Sequence, residues 1–148
     1  ISLFQDLGMW LGGAAVLVLA RRGWDLLRAR RLVIVVAYLF MMAMLGLTHA
    51  PSVNVVVALL CLYVFGLGAW LAIQQAFKQD IARGRVATVV GLVGFAETSV
   101  SAFAVDKIGI VAEHTGGFGS VFAVFGALFT FALVMALVFM RPRWLPHA

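Results

Sequence analysis

Charge is scarce in this chain. Of its 148 residues 11% are charged, and only six are acidic. An ordinary soluble domain is about 25% charged and about 45–50% apolar. The shortage excludes a disordered chain, a nucleic-acid-binding domain and an ordinary soluble enzyme. Cysteine occurs once, at Cys61 within an apolar run, so no internal disulfide can form. No His, Cys, Asp and Glu spacing resembles a metal site, and no cofactor is expected. No strand precedes the glycines, as dinucleotide or phosphate binding requires. There is neither a Gly-x-Ser-x-Gly sequence nor a Ser–His pairing, so an enzyme is not expected. The chain also lacks a basic leader with a small-residue cleavage site, so no signal peptide is read. A start at Ile1, inside an apolar segment, looks like a fragment.

What is abundant is apolar sequence. The hydrophobic share is 64% and the mean hydropathy is +1.09, values that point to an integral membrane protein. Lipid admits only helices and closed barrels. The apolar runs are continuous rather than alternating, which excludes barrel strands. At about 20 residues per crossing there is room for about five or six helices. The fold class expected is all-α, a polytopic bundle of five transmembrane helices at about 2–20, 32–48, 54–77, 86–112 and 118–140. Between them lie a charged loop from Arg21 to Arg31, a turn at Thr48–Ser52 containing Pro51, a charged loop from Lys78 to Arg85, and a glycine turn at His114–Gly117.

The net charge of +5 and a pI near 10.4 matter less than where the charges fall. Ten of the eleven basic residues lie in the first loop, the third loop and the C-terminal tail, where Arg141 and Arg143 stand. Five crossings put these segments on one side, the cytoplasmic side by the positive-inside rule. Trp144 of the tail is expected to be an interfacial anchor.

Polar residues are unevenly spread. The second and fifth helices carry little besides Tyr38, Thr48, Ser120 and Thr130, and are expected to face lipid over much of their surface. Met41, Met42 and Met44 are expected to be packing or lipid contacts. The first, third and fourth helices carry Gln5, Asp6, Tyr63, Gln74, Gln75, Glu97, Thr98, Ser101, Asp106 and Lys107. Intramembrane polar groups of this kind usually line a bundle interior or a wet cavity. Glu97 lies roughly 16 Å along its helix from Val86, near the midplane, and shares a face with Gly94 and Ser101. Two roles stay open for it: a titratable carboxylate in a solute path, or a structural group locking helices together. Asp6 lines either the outer half of a cavity or the outer interface. Gln74 shares a stripe with Trp70, Gly66 and Tyr63, suited either to a hydroxylated solute or to an interhelical hydrogen bond. Lys107 is expected to snorkel to the outer interface. Gly12-Gly13, Gly66-x-Gly68 and Gly91-x-x-Gly94 are expected to let helix backbones approach closely.

Several motifs become specific when taken in order. Asp6-Leu7-Gly8…Gly12-Gly13…Arg21-Arg22-Gly23…Arg28-Ala29-Arg30-Arg31 resembles the loop joining helices eight and nine of major facilitator superfamily transporters, most closely the anion:cation symporter branch with its hexuronate and other sugar-acid carriers. Arg83-Gly84-Arg85-Val86…Gly91…Gly94-Phe95-Ala96 resembles the start of that family's helix eleven. Gly109…Thr115-Gly116-Gly117-Phe118…Val121-Phe122 resembles its helix eleven-to-twelve turn. Leu17 stands where many members carry Asp, and Glu97-Thr98-Ser99 stands where sugar-acid carriers are usually small and glycine-rich.

The resemblance implies that residues 1–148 form one partial transporter domain, helices eight to twelve of a twelve-helix carrier, partnered by a missing N-terminal half and by the lipid bilayer. It implies alternating access with a small organic anion, such as a sugar acid, moved together with a proton or cation. Nucleic acid is not an expected partner. The path candidates are Glu97, Thr98, Ser101, Asp6, Gln74 and Tyr63; Gly13, Arg21, Arg22, Gly23, Arg30 and Arg31 form the cytoplasmic loop motif. No basic residue is expected at mid-membrane depth, so a cation for the anion has to come from the missing half. The expected location is the cell (inner) membrane, with a cytoplasmic C-terminus. The alternative is a complete five-helix subunit that scaffolds a complex without transport of its own.

Overall fold

The computed structural model describes residues 2–82, 84–115 and 119–140, without the side chains at 81, 106, 109, 111–113, 115 and 139. Within these residues the chain is all-helical, with no strand. Helix α1 spans Ser2–Arg21, α2 Leu26–Met41, α3 Val53–Ile81, α4 Val86–Thr115 and α5 Gly119–Phe139; a 3-10 segment, Met42–His49, prolongs α2. Five helical segments among the described residues are long and apolar enough to cross a membrane. Arg83, the Gly116-Gly117 turn, Phe118 and the tail with Arg141, Arg143 and Trp144 lie outside the described residues.

Two expected loops are shorter than their charge density suggested. Helix α1 ends in a left-handed glycine cap. Gly23 has φ +85°, its N–H donates to Ala20 O, and the Trp24 N–H reaches back to Leu19 O, the double closure of a Schellman motif. Helix α2 then starts at Leu26, so Arg28, Arg30 and Arg31 stand on helix rather than in the expected loop. Arginine is a good helix former. Its unfavourable place at a helix N-terminus costs about 0.3–1 kcal/mol, which partners across the bundle offset here. Likewise α3 continues through Lys78 and Asp80, leaving residues 82–85 as the connection to α4. At the other end Pro51 holds Ala50 extended at φ −69°, ψ 122° and stops the 3-10 segment.

Helix α3 is the centre of the packing. Gly8, Gly12 and Val16, spaced by four, are the buried residues of α1, and they face α3. A Cβ at Gly8 would stand 2.0 Å from Phe65 O, and one at Gly68 2.0 Å from Gln5 O. On the other side of α3, a Cβ at Gly66 would meet Ala37 O at 2.6 Å. Backbones in this contact are close enough that only hydrogen fits. The close approaches expected at Gly13, Gly91 and Gly94 are not made among the described residues, where nothing lies within 4 Å of a Cβ at these positions.

The core sits at the arginine-rich end, where Val16, Leu27, Ala29, Val33, Ile34, Ile73 and Met140 cluster. Arg30, only 7% exposed, is ion-paired with Asp80 of α3. Arg31 donates to the Met140 carbonyl and, at 3.5 Å, to that of Leu137, serving orphan carbonyls at the end of α5. These contacts gather the start of α2 and the ends of α3 and α5 at one end of the bundle. Helix α2 keeps one side open, with Leu32, Val36 and Leu39 exposed, and packs the other against the bundle. It buries Leu27, Ala29, Arg30, Val33, Ile34, Ala37 and Met41, because its face toward α3 is a continuous apolar strip. Met41 and Met44 are buried packing residues. The polar groups of the two least polar helices bond to each other: Tyr38 Oη lies 2.7 Å from Thr130 Oγ1.

Helix α4 is the exception. Its spanning stretch, Val86–Val105, contains no buried residue, and Leu92, Phe95, Val100 and Phe103 are each about 70% exposed.

Candidate functional site

Glu97 holds the one charged group of α4 that joins it to α3 among the described contacts. Lys78 Nζ donates to Glu97 Oε1 at 2.7 Å and to Oε2 at 2.8 Å. Gln74 Nε2 donates to Oε1 at 2.9 Å. The Lys78 side chain is 10% exposed and that of Glu97 44%.

The local geometry explains why residues so differently placed along their helices meet. Side chains lean toward the N-terminus of their own helix. Helices α3 and α4 run in opposite directions across a short connection. The Lys78 stem therefore leans away from the arginine-rich end, and Glu97 leans toward it, so the two converge. Gln74, one turn before Lys78 on the same face, completes the cluster. Ionised groups in lipid each cost at least about 2.5–3.5 kcal/mol at the bilayer centre. Pairing within a shielded contact and a third hydrogen bond are what such a charge requires.

One expectation is corrected by this arrangement. Lys78 belongs to a helix rather than a loop, and its ammonium reaches the Glu97 carboxylate. The stripe Tyr63–Gly66–Trp70–Gln74 meets several neighbours, and Gln74 makes the interhelical hydrogen bond that was one of its two expected roles. Gly66 abuts α2, Trp70 packs on the core cluster, and Tyr63 tilts against Phe129 of α5, with ring centroids 6.4 Å apart. Only Gln74 joins Glu97.

No protein-family model, curated protein or solved structure matches this chain.

The remaining candidates separate into two groups. Thr98 and Ser101 are exposed on α4 beside Glu97; Ser101, at i+4, extends the Glu97 face by one turn. Asp6 is exposed on α1, next to the Gln5–Gly68 crossing and about 9 Å along α3 from Gln74 by helix rise. It stands apart from the cluster. In the loop motif, Gly23 makes the turn, Arg21 lies in the last turn of α1, and Arg22 is exposed beside it. Arg30 and Arg31 instead tie α2 to α3 and α5. Gly13 is exposed on α1. Lys107 lies over the Phe103 ring, 5.6 Å from its centroid, toward the far end of α4. The residue that sequence reasoning missed is Lys78. Its signal was present: one cation on the same face as Gln74, a turn from a helix end, opposite the half of α4 that bears Glu97 as its one carboxylate.

Proposed function

We propose that this chain is part of a secondary carrier of the major facilitator type, moving a small organic anion such as a sugar acid together with a proton or cation by alternating access. Its place is the cell (inner) membrane, with the arginine-rich end of the bundle cytoplasmic. The observation that carries the proposal is the Lys78–Glu97–Gln74 cluster on a helix whose spanning stretch is otherwise uncovered. A carboxylate 44% open at membrane depth belongs against water or another protein segment, not acyl chains. In a carrier that neighbour is the solute path between two halves.

The test is uptake by the product of the complete reading frame. Replacement of Glu97 by Gln changes the pH dependence of uptake if the carboxylate takes part in coupling. Unchanged uptake with an unchanged pH profile assigns Glu97 a purely structural role. A second proposal, a five-helix scaffolding subunit, draws on the exposed Leu92, Phe95, Val100 and Phe103, since a broad apolar face of this kind also suits a partner helix. The gene separates the two. About 250 further upstream residues encoding about seven helices favour the carrier; a start codon close to Ile1 favours the subunit.

A further inference from the structure

The proposed solute is an anion, and the Lys78 cation beside the uncovered helix α4 is already occupied. Both oxygens of Glu97 are on the Lys78 ammonium, and Gln74 holds one of them as well. We infer that Lys78 is the binding group for a carboxylate-bearing solute and that Glu97 is an internal occupant of the same site, displaced when it takes up a proton. This rests on the carrier reading and names the residue that recognises the solute.

Charge conservation gives the exchange its form. With Glu97 ionised, the pair is neutral. When a proton adds to a Glu97 oxygen, the two-point contact with Lys78 is lost, while the ammonium keeps its charge and its three N–H donors. An uncompensated ammonium on this shielded site is strongly disfavoured. A carboxylate from solution restores neutrality on the same donors, and Gln74 offers it the amide N–H that Glu97 gave up. One proton is therefore taken up for each singly charged anion bound. Loss of the proton from Glu97 reverses the order and expels the anion.

Among the described residues, the other charges near the pair are engaged elsewhere or stand apart from it. Helix α2 contributes Arg30, which is paired with Asp80 of α3. The α5 segment Gly119–Phe139 contains no ionisable residue. Asp6 of α1 lies about two turns of α3 away, and Arg85 stands exposed at the foot of α4. Glu97 is exposed and Lys78 is shielded, so the carboxylate is the member of the pair that can be exchanged from the open side.

The experiment measures the reactivity of the Lys78 amine toward a small acylating reagent, mapped by peptide mass spectrometry on the purified full-length protein at fixed pH. The probes are sodium acetate and sodium glucuronate, with glucose and sodium chloride at matched ionic strength as controls. The expected result is a several-fold rise in Lys78 acylation on Glu97→Gln, reversed by acetate or glucuronate and not by glucose or chloride. Glu97→Asp, which keeps the charge on a shorter arm, gives an intermediate rise and serves if the Gln variant does not fold. A rise that neither carboxylate reverses overturns the anion site, as does no rise in either variant. Uptake by the same preparations is a separate readout. Protection of Lys78 without uptake of any organic anion discards the carrier and keeps the site; uptake with Lys78 unprotected keeps the carrier and discards the site.

Discussion

At Gly68 a methyl group would stand 2.0 Å from the Gln5 carbonyl oxygen, and at Gly8 the same distance from that of Phe65. Both obstacles are backbone, which cannot swing aside as a side chain does. Gly68→Val is therefore expected to lower stability by about 1–3 kcal/mol or more, the usual cost of overpacking, seen as a lower unfolding midpoint in detergent. Gly13→Ala, where nothing lies within 4 Å, should leave the midpoint unchanged or raise it slightly, since alanine favours helix by up to about 1 kcal/mol. Arg30 is a second residue whose environment sets a clear expectation. It is buried against Asp80, so Asp80→Ala strands a guanidinium. Breaking a buried pair costs about 3–5 kcal/mol; the 36% exposure of the Asp80 side chain puts the expected loss below that range. The double change Arg30→Met with Asp80→Ala should be less harmful than Asp80→Ala alone, a sign that a thermal double-mutant cycle reads directly.

Between elements, the most specific polar link is Tyr38 to Thr130, joining α2 to α5 at 2.7 Å. Thr130 also donates to Gly126 O at 2.8 Å, so its hydroxyl retains a partner when Tyr38 is changed. Tyr38→Phe should cost about 0.5–1.5 kcal/mol, and its coupling with Thr130→Val should be near the 0.6 kcal/mol average for bonds between membrane helices. The existence and kind of the five helices were legible in sequence because each is a long apolar run without proline. Their starts and ends were less so. Eleven residues from Arg21 to Arg31 hold five arginines, and local charge density resembles a loop; only the partners Asp80 and Met140, about 50 and 110 positions away in sequence, show why Arg30 and Arg31 stand on a packed helix. The glycine stripes divide for the same reason. Spacing marks Gly12, Gly66 and Gly68 no differently from Gly13, Gly91 and Gly94, and the neighbouring helix decides which are crowded. Within the site, Glu97 and Gln74 stood out as polar groups in apolar helices, whereas Lys78 was absorbed into a loop by its charged neighbours. Its pairing depends on the antiparallel register of α3 and α4, a relation between elements that neither segment carries by itself.

The whole molecule divides into a tightly packed part and an open one. Helices α1, α2 and α3 cross at glycines and share a core at the arginine-rich end, while α4 touches the bundle along a narrow line and leaves its spanning stretch uncovered. Apolar and polar side chains are equally open there: Phe95 and Phe103 on one hand, Thr98 and Ser101 on the other. In a membrane these cannot all meet lipid without cost, and the only ion pair between α3 and α4 among the described residues marks the side of α4 proposed to be wet. The Glu97 face of α4 is predicted to border water inside an assembly. Substituted-cysteine labelling tests it most directly. With every native cysteine of the full-length protein, Cys61 included, replaced by Ala, cysteine is placed at Ser101, one turn from Glu97, or at Val134, an exposed apolar position of α5. A water-soluble, charged thiol reagent is predicted to modify Ser101→Cys and to leave Val134→Cys untouched. Equal inertness of both positions would put the Glu97 face among acyl chains and contradict the account.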